Sequence, residues 1–298
     1  YQSLILLLIR DQIGLQVKLF LLMEGYQMSN NYYGYACMNM QLAYPGKYDS
    51  NHSKRIICNR GMIKKTFIKK GIKYASELAL KNCNDLFDII KWNQENDFKF
   101  FRISSDMFPW CSHYELENLP EFNQIKFILS EIGEFVSNNK MRITFHPGPF
   151  NVLTSPHKKV VQNCIHDLSI HGQIFDLMNL PRTPYNKINI HIGGAYGDKI
   201  ESMKRFCENF KYLPESVKSR LTVENDDRDS LYSVKDLYNG VYKVIGIPIV
   251  FDYHHHRFCS GNITENEALN LAVSTWGLIK PVVHYSESRN IEQKDNSI

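Results

Sequence analysis

The sequence predicts an α/β fold of the TIM type, a (β/α)8 barrel that lacks its eighth strand. First, short segments rich in β-branched and aromatic residues alternate with longer segments of helical spacing, as in repeated βα units. Second, residues 35–39, where the first strand ends, contain no Gly-rich phosphate loop of the kind that open doubly wound sheets carry. Third, no linker or internal repeat divides the 298 residues, so one barrel domain suffices.

The predicted elements follow one another in regular order. Seven strands are expected at residues 33–38, 99–103, 142–146, 188–192, 221–224, 247–252 and 281–285. Helices are expected between them at 73–95, 122–138, 160–178, 200–209, 234–244 and 265–278. Thr264 and Ser233 have the side chains of helix N-caps, which supports the starts of the last two helices.

The two ends of the chain differ from this pattern. Residues 1–27 hold two apolar runs, 4–9 and 19–23, that are too short for a membrane span and lack the flanks of a signal peptide. We predict that residues 1–27 are an extension outside the fold, an extra amphipathic helix being the alternative. Residues 28–298 then form one domain, with a frayed polar tail at 288–298.

Composition excludes several classes of protein. Hydrophobic residues make up 43% of the chain and charged residues 22%, which is typical of globular proteins and argues against disorder. The net charge of +4 is compatible with a polyanionic partner without requiring one. The seven cysteines are odd in number and form no C-x-x-C pair, as in reduced intracellular proteins. We therefore expect an intracellular protein, in the cytoplasm or nucleus, without a membrane partner.

Five metal-type ligands fall at the carboxyl ends of successive predicted strands: His146, His191, Glu224, Asp252 and His284. In a parallel barrel these ends surround one mouth, where barrel enzymes place catalytic groups. A single such histidine is usually structural, but two carboxylates in one cavity are costly to bury without cations. The pattern therefore predicts a metal cluster, and imidazoles with carboxylates suit Zn²⁺, Mn²⁺ or Fe²⁺.

Two neighbouring segments add candidates. In residues 252–256, Asp252, His254 and His256 would share one side of a continuing strand, whereas His255 can turn inward if the strand stops at Asp252. A surface histidine cluster is the alternative. In residues 190–199, glycines let the backbone approach a ligand and Lys199 can contact a phosphate, although an ordinary Gly-rich turn fits as well.

Several ordered motifs together resemble the UV damage endonuclease family, which belongs with the endonuclease IV and xylose isomerase type of metal-dependent barrels. The matching segments are Gly-Tyr-Ala-Cys-Met-Asn at 34–39, Arg-Ile-Ser-Ser at 102–105 with His113, His-Pro-Gly at 146–148, His-Ile-Gly-Gly at 191–194, Glu-Asn-Asp-Asp at 224–227, Asp-Tyr-His-His at 252–255 and His-Tyr-Ser at 284–286. The resemblance covers about residues 33–287.

The resemblance implies a site of up to three divalent ions, usually manganese, with Zn²⁺ or Mg²⁺ as alternatives. Carried over by motif, His146, His191 and Glu224 bind one ion, and Glu224 bridges to a second ion held also by Asp252 and His284. His255 serves a third. The implied reaction is a nick in double-stranded DNA immediately 5′ of a UV photoproduct, by metal-assisted phosphodiester hydrolysis with Glu224 and Asp252 at the reacting centre.

The resemblance also implies contacts with DNA. His113 and Lys199 are candidate catalytic or phosphate-contacting residues, and Arg102 is a backbone contact or a buried partner for a carboxylate. Tyr35 and Asn39 resemble residues that meet the damaged nucleotides, a core aromatic being the alternative for Tyr35. Pro149 and Phe150 are two further candidate contacts with DNA. They stand where the family typically has Gln-Tyr, a pair that probes the duplex. Val282 stands where the family often has a lysine.

The family continues to an eighth strand whose glutamate completes the second metal site, and neither Glu287 nor Glu292 lies in a comparable strand. We therefore interpret the chain as a C-terminally incomplete member, a monomer that acts in DNA repair. Two alternatives remain open: a metal-dependent sugar isomerase or epimerase on the same barrel, and a non-catalytic truncated fragment that binds DNA.

Overall fold

Eight parallel strands form a closed barrel in a computed structural model that describes residues 5–8, 32–44 and 54–286. The strands pair in chain order, and the last pairs with the first. They are β1 (Ile5–Leu8), β2 (Tyr32–Ala36), β3 (Phe100–Ile103), β4 (Arg142–Phe145), β5 (Ile188–Ile190), β6 (Leu221–Glu224), β7 (Ile249–Asp252) and β8 (Val282–Tyr285). All seven predicted strands are present, so the predicted barrel is confirmed.

Helices connect the strands and cover the outside of the barrel. They are α1 (Met40–Ala43), α2 (Lys64–Glu95), α3 (Phe122–Asn138), α4 (Lys158–Leu177), α5 (Lys199–Phe210), α6 (Glu215–Lys218), α7 (Val234–Leu237), α8 (Lys243–Ile245), α9 (Tyr253–His256) and α10 (Glu265–Ser274). A π-helical turn, Tyr238–Tyr242, joins α7 to α8, so these three pieces fill the helix predicted at 234–244. Within the described ranges, each helix is too short or too polar to cross a membrane.

The prediction that residues 1–27 lie outside the fold is wrong for Ile5–Leu8, which form β1. Ile5 pairs with Tyr32 of β2 and with Val282 of β8, so the N-terminal apolar run fills the ring position that was expected to be empty. Without a strand there, β2 and β8 would each expose an edge of unpaired N–H and C=O groups. The remainder of residues 1–27, and the tail with Glu287 and Glu292, lie outside the described residues.

Side chains alternate strictly between the two faces of the barrel wall. On β4, Ile143 and Phe145 pack outward in the hydrophobic core under the helices, whereas Arg142 and Thr144 are buried on the opposite, inner face. The same alternation places buried Asn189 and Thr222 inside the barrel, next to the carboxyl ends of β5 and β6. The interior is therefore polar along β4 to β6, whereas Phe100, Val250 and Val282 on β3, β7 and β8 form a separate small apolar cluster.

Helix α2 is longer than predicted and broken near its start. The sequence predicts a helix over 73–95, whereas the structure extends it to Lys64 across a break at Gly71, where φ is 64° and ψ is −161°. This backbone conformation is almost restricted to glycine. The seven residues before the break lack an apolar stripe, which is why their helical state cannot be recognised from periodicity.

Candidate metal centre

The buried carboxylate of Glu224, the last residue of β6, lies at the centre of a cluster of ligands. Its Oε2 atom is 3.2 Å from His146 Nε2 and 2.9 Å from His284 Nδ1. The side-chain amide of Asn189 donates to the same oxygen, and Thr222 Oγ1 donates to Asn189 Oδ1 at 2.7 Å. Glu224 is therefore fixed from inside the barrel wall while it faces histidines at the carboxyl ends of β4 and β8.

Two groups of side chains could each hold a cation, and both contain Glu224. The first consists of His146, His191 and Glu224, and the second of Glu224, Asp252 and His255. Within each group the ligand atoms lie within 4.8 Å of one another. The structure thus brings together every residue that was predicted as a metal ligand, with His284 beside Glu224.

Burial and mutual charge set the protonation of the central ligands. Burial alone would raise the pKa of Glu224, but His284 and His146 outweigh it and hold that pKa well below its usual range. Burial lowers the pKa of His146, and it lowers the pKa of His284 to about 3. An ionised carboxylate between neutral imidazoles is the state that binds a divalent cation.

Carboxylates crowd the other side of the cluster. Burial would lower the pKa of His191, but three carboxylates outweigh burial and raise this pKa to about 9. They are Asp226, Glu224 and Asp252, and Asp226 Oδ1 lies 3.1 Å from His191 Nδ1. Burial and the neighbouring charge of Glu224 raise the pKa of Asp252 to about 6. Both pKa values are raised, as expected where negative charge is in excess, and a bound cation would relieve that excess.

The turn after β7 brings His255 to the site. Strand β7 ends at Asp252, which caps α9 by accepting from the His255 backbone N–H at 2.9 Å. Asn225 holds this corner through its side chain, which bonds both backbone polar groups of Asp252. His255 Nδ1 then lies 3.6 Å from Glu224 Oε1.

Because the strand stops at Asp252, His254 and His256 do not share its inner side as they would along a continuing strand. The ring of His254 instead lies 5.2 Å from that of Phe258, and the ring of His256 lies 5.4 Å from that of Phe251. His255 takes the place beside Asp252 that the resemblance gave to His284.

Three residues that contact the candidate ligands were not predicted from the sequence: Lys187, Asn189 and Asp226. Lys187 is fully buried and its Nζ lies 3.4 Å from His284 Nε2. Lys187 and Asn189 precede His191 by four and two residues, and Asp226 follows Glu224 by two. The period of two along a strand was the available signal, because alternate residues face the same side of the wall.

Other predicted residues lie apart from the ligand groups. His113 is exposed and packs on Phe67 and Trp110. Lys199 donates to the backbone oxygen of Asp229 at 2.9 Å and lies 3.8 Å from Asp236. Neither side chain has a contact with a metal-ligand candidate among the described residues, so their predicted catalytic roles remain predictions.

Tyr35 and Asn39 form an internal network in place of an open surface. The Tyr35 hydroxyl bonds Asn93 on α2 at 2.5 Å and accepts from Asn39 at 2.8 Å, and its ring packs edge-on against Phe98 and Phe101. Asn39 also caps α1. This supports the alternative of a core aromatic for Tyr35, and contact of either residue with nucleotides would require these bonds to break.

Arg102 and Phe150 occupy positions suited to a substrate. Arg102 is half-buried, its Nε is buried without a hydrogen bond, and its charge helps to lower the pKa of His146 and His284. Phe150 is 87% exposed on the loop that follows His146, next to exposed Pro149. Single exposed apolar side chains are common on protein surfaces, so the position of Phe150 on the loop after His146 is what makes it a candidate for substrate contact.

Gly193 fixes the loop after β5 against the loop after β4. Its φ is 110°, and a Cβ at this position would lie 2.1 Å from Val152 Cγ1 and 2.6 Å from Thr154 Oγ1. Only glycine permits both the conformation and the approach. Because Gly193 is two residues beyond His191, this packing holds the first ligand group in register.

Comparisons with known proteins show which proteins the chain is similar to. The family model described as UV-endonuclease UvdE matches residues 31–297. A UV-damage endonuclease of Schizosaccharomyces pombe is 34% identical over 265 residues, covering 86% of this chain and 42% of that protein. A UV DNA damage endonuclease of Clostridium perfringens is 36% identical over 243 residues, covering 79% of this chain and 56% of that protein. The chain spans about half the length of these relatives.

Solved structures show the same fold. The crystal structure of SacUVDE matches with a TM-score of 0.74 at 29% identity, covering 90% of this chain and 89% of that one. A D-psicose 3-epimerase from Clostridium cellulolyticum H10, crystallised with D-tagatose, matches with a TM-score of 0.50 at 12% identity, covering 69% and 80%. The second likeness shows the fold alone.

Proposed function

Because this chain belongs to the UV-endonuclease UvdE family, we propose that it is a metal-dependent DNA repair endonuclease that cuts the strand immediately 5′ of UV photoproducts. The observation that carries the proposal is the pair of ligand groups that share buried Glu224, at the carboxyl ends of the barrel strands. Barrel enzymes place their chemistry at this face.

The residues fit a divalent-metal centre. The Nδ1 atoms of His191 and His284 are buried without hydrogen bonds, although carboxylate oxygens lie 3.1 and 2.9 Å away. Nitrogen and carboxylate ligands without a thiolate suit Mn²⁺ or Zn²⁺, and we propose manganese. His146, His191 and Glu224 would hold one ion, and Glu224, Asp252 and His255 a second.

Divalent ions held there would acidify a water molecule and offset the charge of the phosphodiester. The protein's own residues prepare this state. Asn189 donates to Glu224 Oε2 and is itself held by Thr222, so the shared carboxylate cannot rotate freely. Lys187 stands behind His284 Nε2, which leaves Nδ1 facing Glu224. Such outer contacts orient metal ligands.

Membership of the family supports a DNA substrate, and the exposed ring of Phe150 offers it a contact. We propose that Phe150, with Pro149, packs against bases at the lesion, where an unstacked nucleotide is easier to open than an intact one. Arg102, with its free Nε, would contact a phosphate. Replacing Phe150 with alanine should then weaken binding to damaged duplex by about 1–3 kcal/mol.

The test is nicking of supercoiled plasmid, irradiated or untreated, with Mn²⁺ or with chelator. We expect cutting of the irradiated plasmid only, abolished by chelator. Glu224→Gln should lower the rate by about a thousandfold, since the metals supply several kcal/mol of transition-state stabilisation. Glu134→Gln, on the exposed face of α3, is the matched control.

Three results would overturn the proposal. Equal cutting of both plasmids would remove the damage specificity. Cutting that persists in chelator, or in Glu224→Gln at the rate of Glu134→Gln, would remove the metal centre. Absence of both cutting and metal binding would favour the non-catalytic alternative.

A further inference from the structure

Positive charge is concentrated in one segment of the chain. Residues 54–76 contain eight lysines and arginines and no aspartate or glutamate, whereas the whole chain has a net charge of only +4. The remainder of the chain is therefore net negative. The net charge of the whole chain does not reveal this local concentration.

Most of this charge is uncompensated. Lys54 and Arg60 pair with Asp85. The five other lysines of the segment are exposed, and we name them the lysine surface: Lys64, Lys65, Lys69, Lys70 and Lys73. Within the ranges that the structure describes, none of the five lies within ion-pair distance of a carboxylate, and Lys70 Nζ lies 3.9 Å from the Tyr74 ring centre.

The first turn of α2 contains no acidic side chain that would offset the repulsion among these lysines. Helix α2 begins without a side-chain cap or an acidic residue in its first turn, and Lys64 and Lys65 occupy that turn. Lys65 and Lys69 are four residues apart on one helix face, where like charges are destabilising. The exposed side chain of Ile68 lies beside them. An anionic partner would remove the penalty.

The lysine surface is attached to the face of the barrel that carries the metal centre. Helix α2 begins on the side of the β2 carboxyl end, and Phe67 in its first two turns stacks on Trp110 at 5.4 Å and 11°. Trp110 Nε1 also donates to the Met62 backbone at 2.9 Å. Trp110 belongs to the loop after β3, whose neighbour after β4 carries Phe150.

A side-chain bridge joins these two loops. Asp167 on α4 accepts from Cys111 in the first loop, at 3.6 Å, and from Asn151 in the second, at 2.8 Å. The lysine surface, the stacked Trp110 and the loop of Phe150 thus form one continuous rim on the side of the metal centre.

We propose that the lysine surface binds the sugar-phosphate backbone of the DNA duplex beside the lesion and sets the orientation of the duplex over the metal centre. This inference rests on the proposed function, which supplies the duplex. Phosphate contacts by lysines position DNA without reading its sequence. They suit an enzyme that must bind lesions in any sequence context.

The test compares two double variants in binding to a lesion-bearing duplex, measured by fluorescence anisotropy at several salt concentrations. Lys65→Gln with Lys69→Gln removes two charges from the lysine surface, and glutamine keeps the helix propensity of lysine. Lys140→Gln with Lys211→Gln is the control, because both are exposed and follow the carboxyl ends of α3 and α5, on the opposite face of the barrel.

We expect the first variant to bind more weakly and to reduce the slope of log K against log salt by about 2, roughly one for each lost phosphate contact. The control should keep the wild-type slope. Thermal melting and metal stoichiometry, unchanged in both variants, would show that the fold is intact.

The inference is overturned if the first variant keeps the wild-type slope, or if both variants lose the same amount. An acidic protein as the true partner would give the first of these results. Nicking of irradiated plasmid by the wild type, run in parallel, separates the two proposals. Wild-type cutting with an unchanged slope defeats only the lysine surface, whereas absent cutting with a reduced slope defeats only the nuclease.

Discussion

At the scale of single residues, the site is a carboxylate placed inside a wall of polar side chains. Glu224 is buried, and its ionised form is stable because Asn189 donates to it and His146 and His284 face it. Strand ends identify Glu224 and both histidines in the sequence. The period of two places Asn189 on the same face as His191, but an amide inside a strand has no distinctive chemistry until its neighbour is known.

A pH dependence follows from the shifted groups. In the free protein His191, with a pKa of about 9, carries a proton at neutral pH, and a cation at its site must displace it. We expect affinity at that site to rise about tenfold per pH unit from about 6 to 9 and then to level. Below about pH 6, protonation of Asp252 should weaken the second site as well.

Calorimetric titration of Mn²⁺ at several pH values measures this effect. Asp226→Asn removes the first partner of His191, should lower its pKa and should flatten the dependence. Affinity that does not change between about pH 6 and 9 would show that His191 is not displaced by the ion.

At the scale of elements, two loops and one helix arrange the rim around the site. Asp167 joins the loops after β3 and β4 through Cys111 and Asn151. We expect Asp167→Ala to loosen the loop of Phe150 and to raise KM for damaged duplex about five- to tenfold, since a hydrogen bond contributes about 1 kcal/mol. Metal stoichiometry should not change.

The matched control is Asp106→Ala, because Asp106 is exposed in the same loop as Cys111 and its side chain makes no hydrogen bond among the described residues. Steady-state nicking kinetics give KM and kcat for both variants. A loss of kcat with KM unchanged would mean that Asp167 does not act through the loop.

The backbone break in α2 leads to a second prediction at this scale. Gly71 has φ of 64° and ψ of −161°, so Gly71→Ala should destabilise the fold by about 1–3 kcal/mol and turn the lysine surface away from Trp110. Denaturant unfolding measures the change. Gly61→Ala is the control, since Gly61 has no positive φ and no atom lies within 4 Å of its missing Cβ. Equal stability of the two variants would contradict the strain at Gly71.

At the scale of the whole molecule, β1 closes the barrel. Leu7 pairs with Gly34 of β2 and His284 of β8, so its backbone lies between two strands. Proline removes the amide donor and is excluded from central strands. We expect Leu7→Pro to lose about 2 kcal/mol or more, whereas Leu7→Val should retain the wild-type stability.

Differential scanning calorimetry of both variants measures this contribution. If Leu7→Pro melts at the temperature of Leu7→Val, the N-terminal strand does not stabilise the barrel. In that case β2 and β8 need another neighbour.

Residue type and spacing are enough to predict the alternation of strands and helices, their order, and the candidate ligands His146, His191, Glu224, Asp252 and His284 at the strand ends. These features depend on periodicity within one segment, which a linear chain displays directly. Other features become visible only in the folded chain: closure by Ile5–Leu8, His255 beside Asp252, Lys187 behind His284, and Trp110 on Phe67. Each of these depends on where a segment turns after its strand or helix ends and on which distant segment it then meets, and local periodicity holds no information about either.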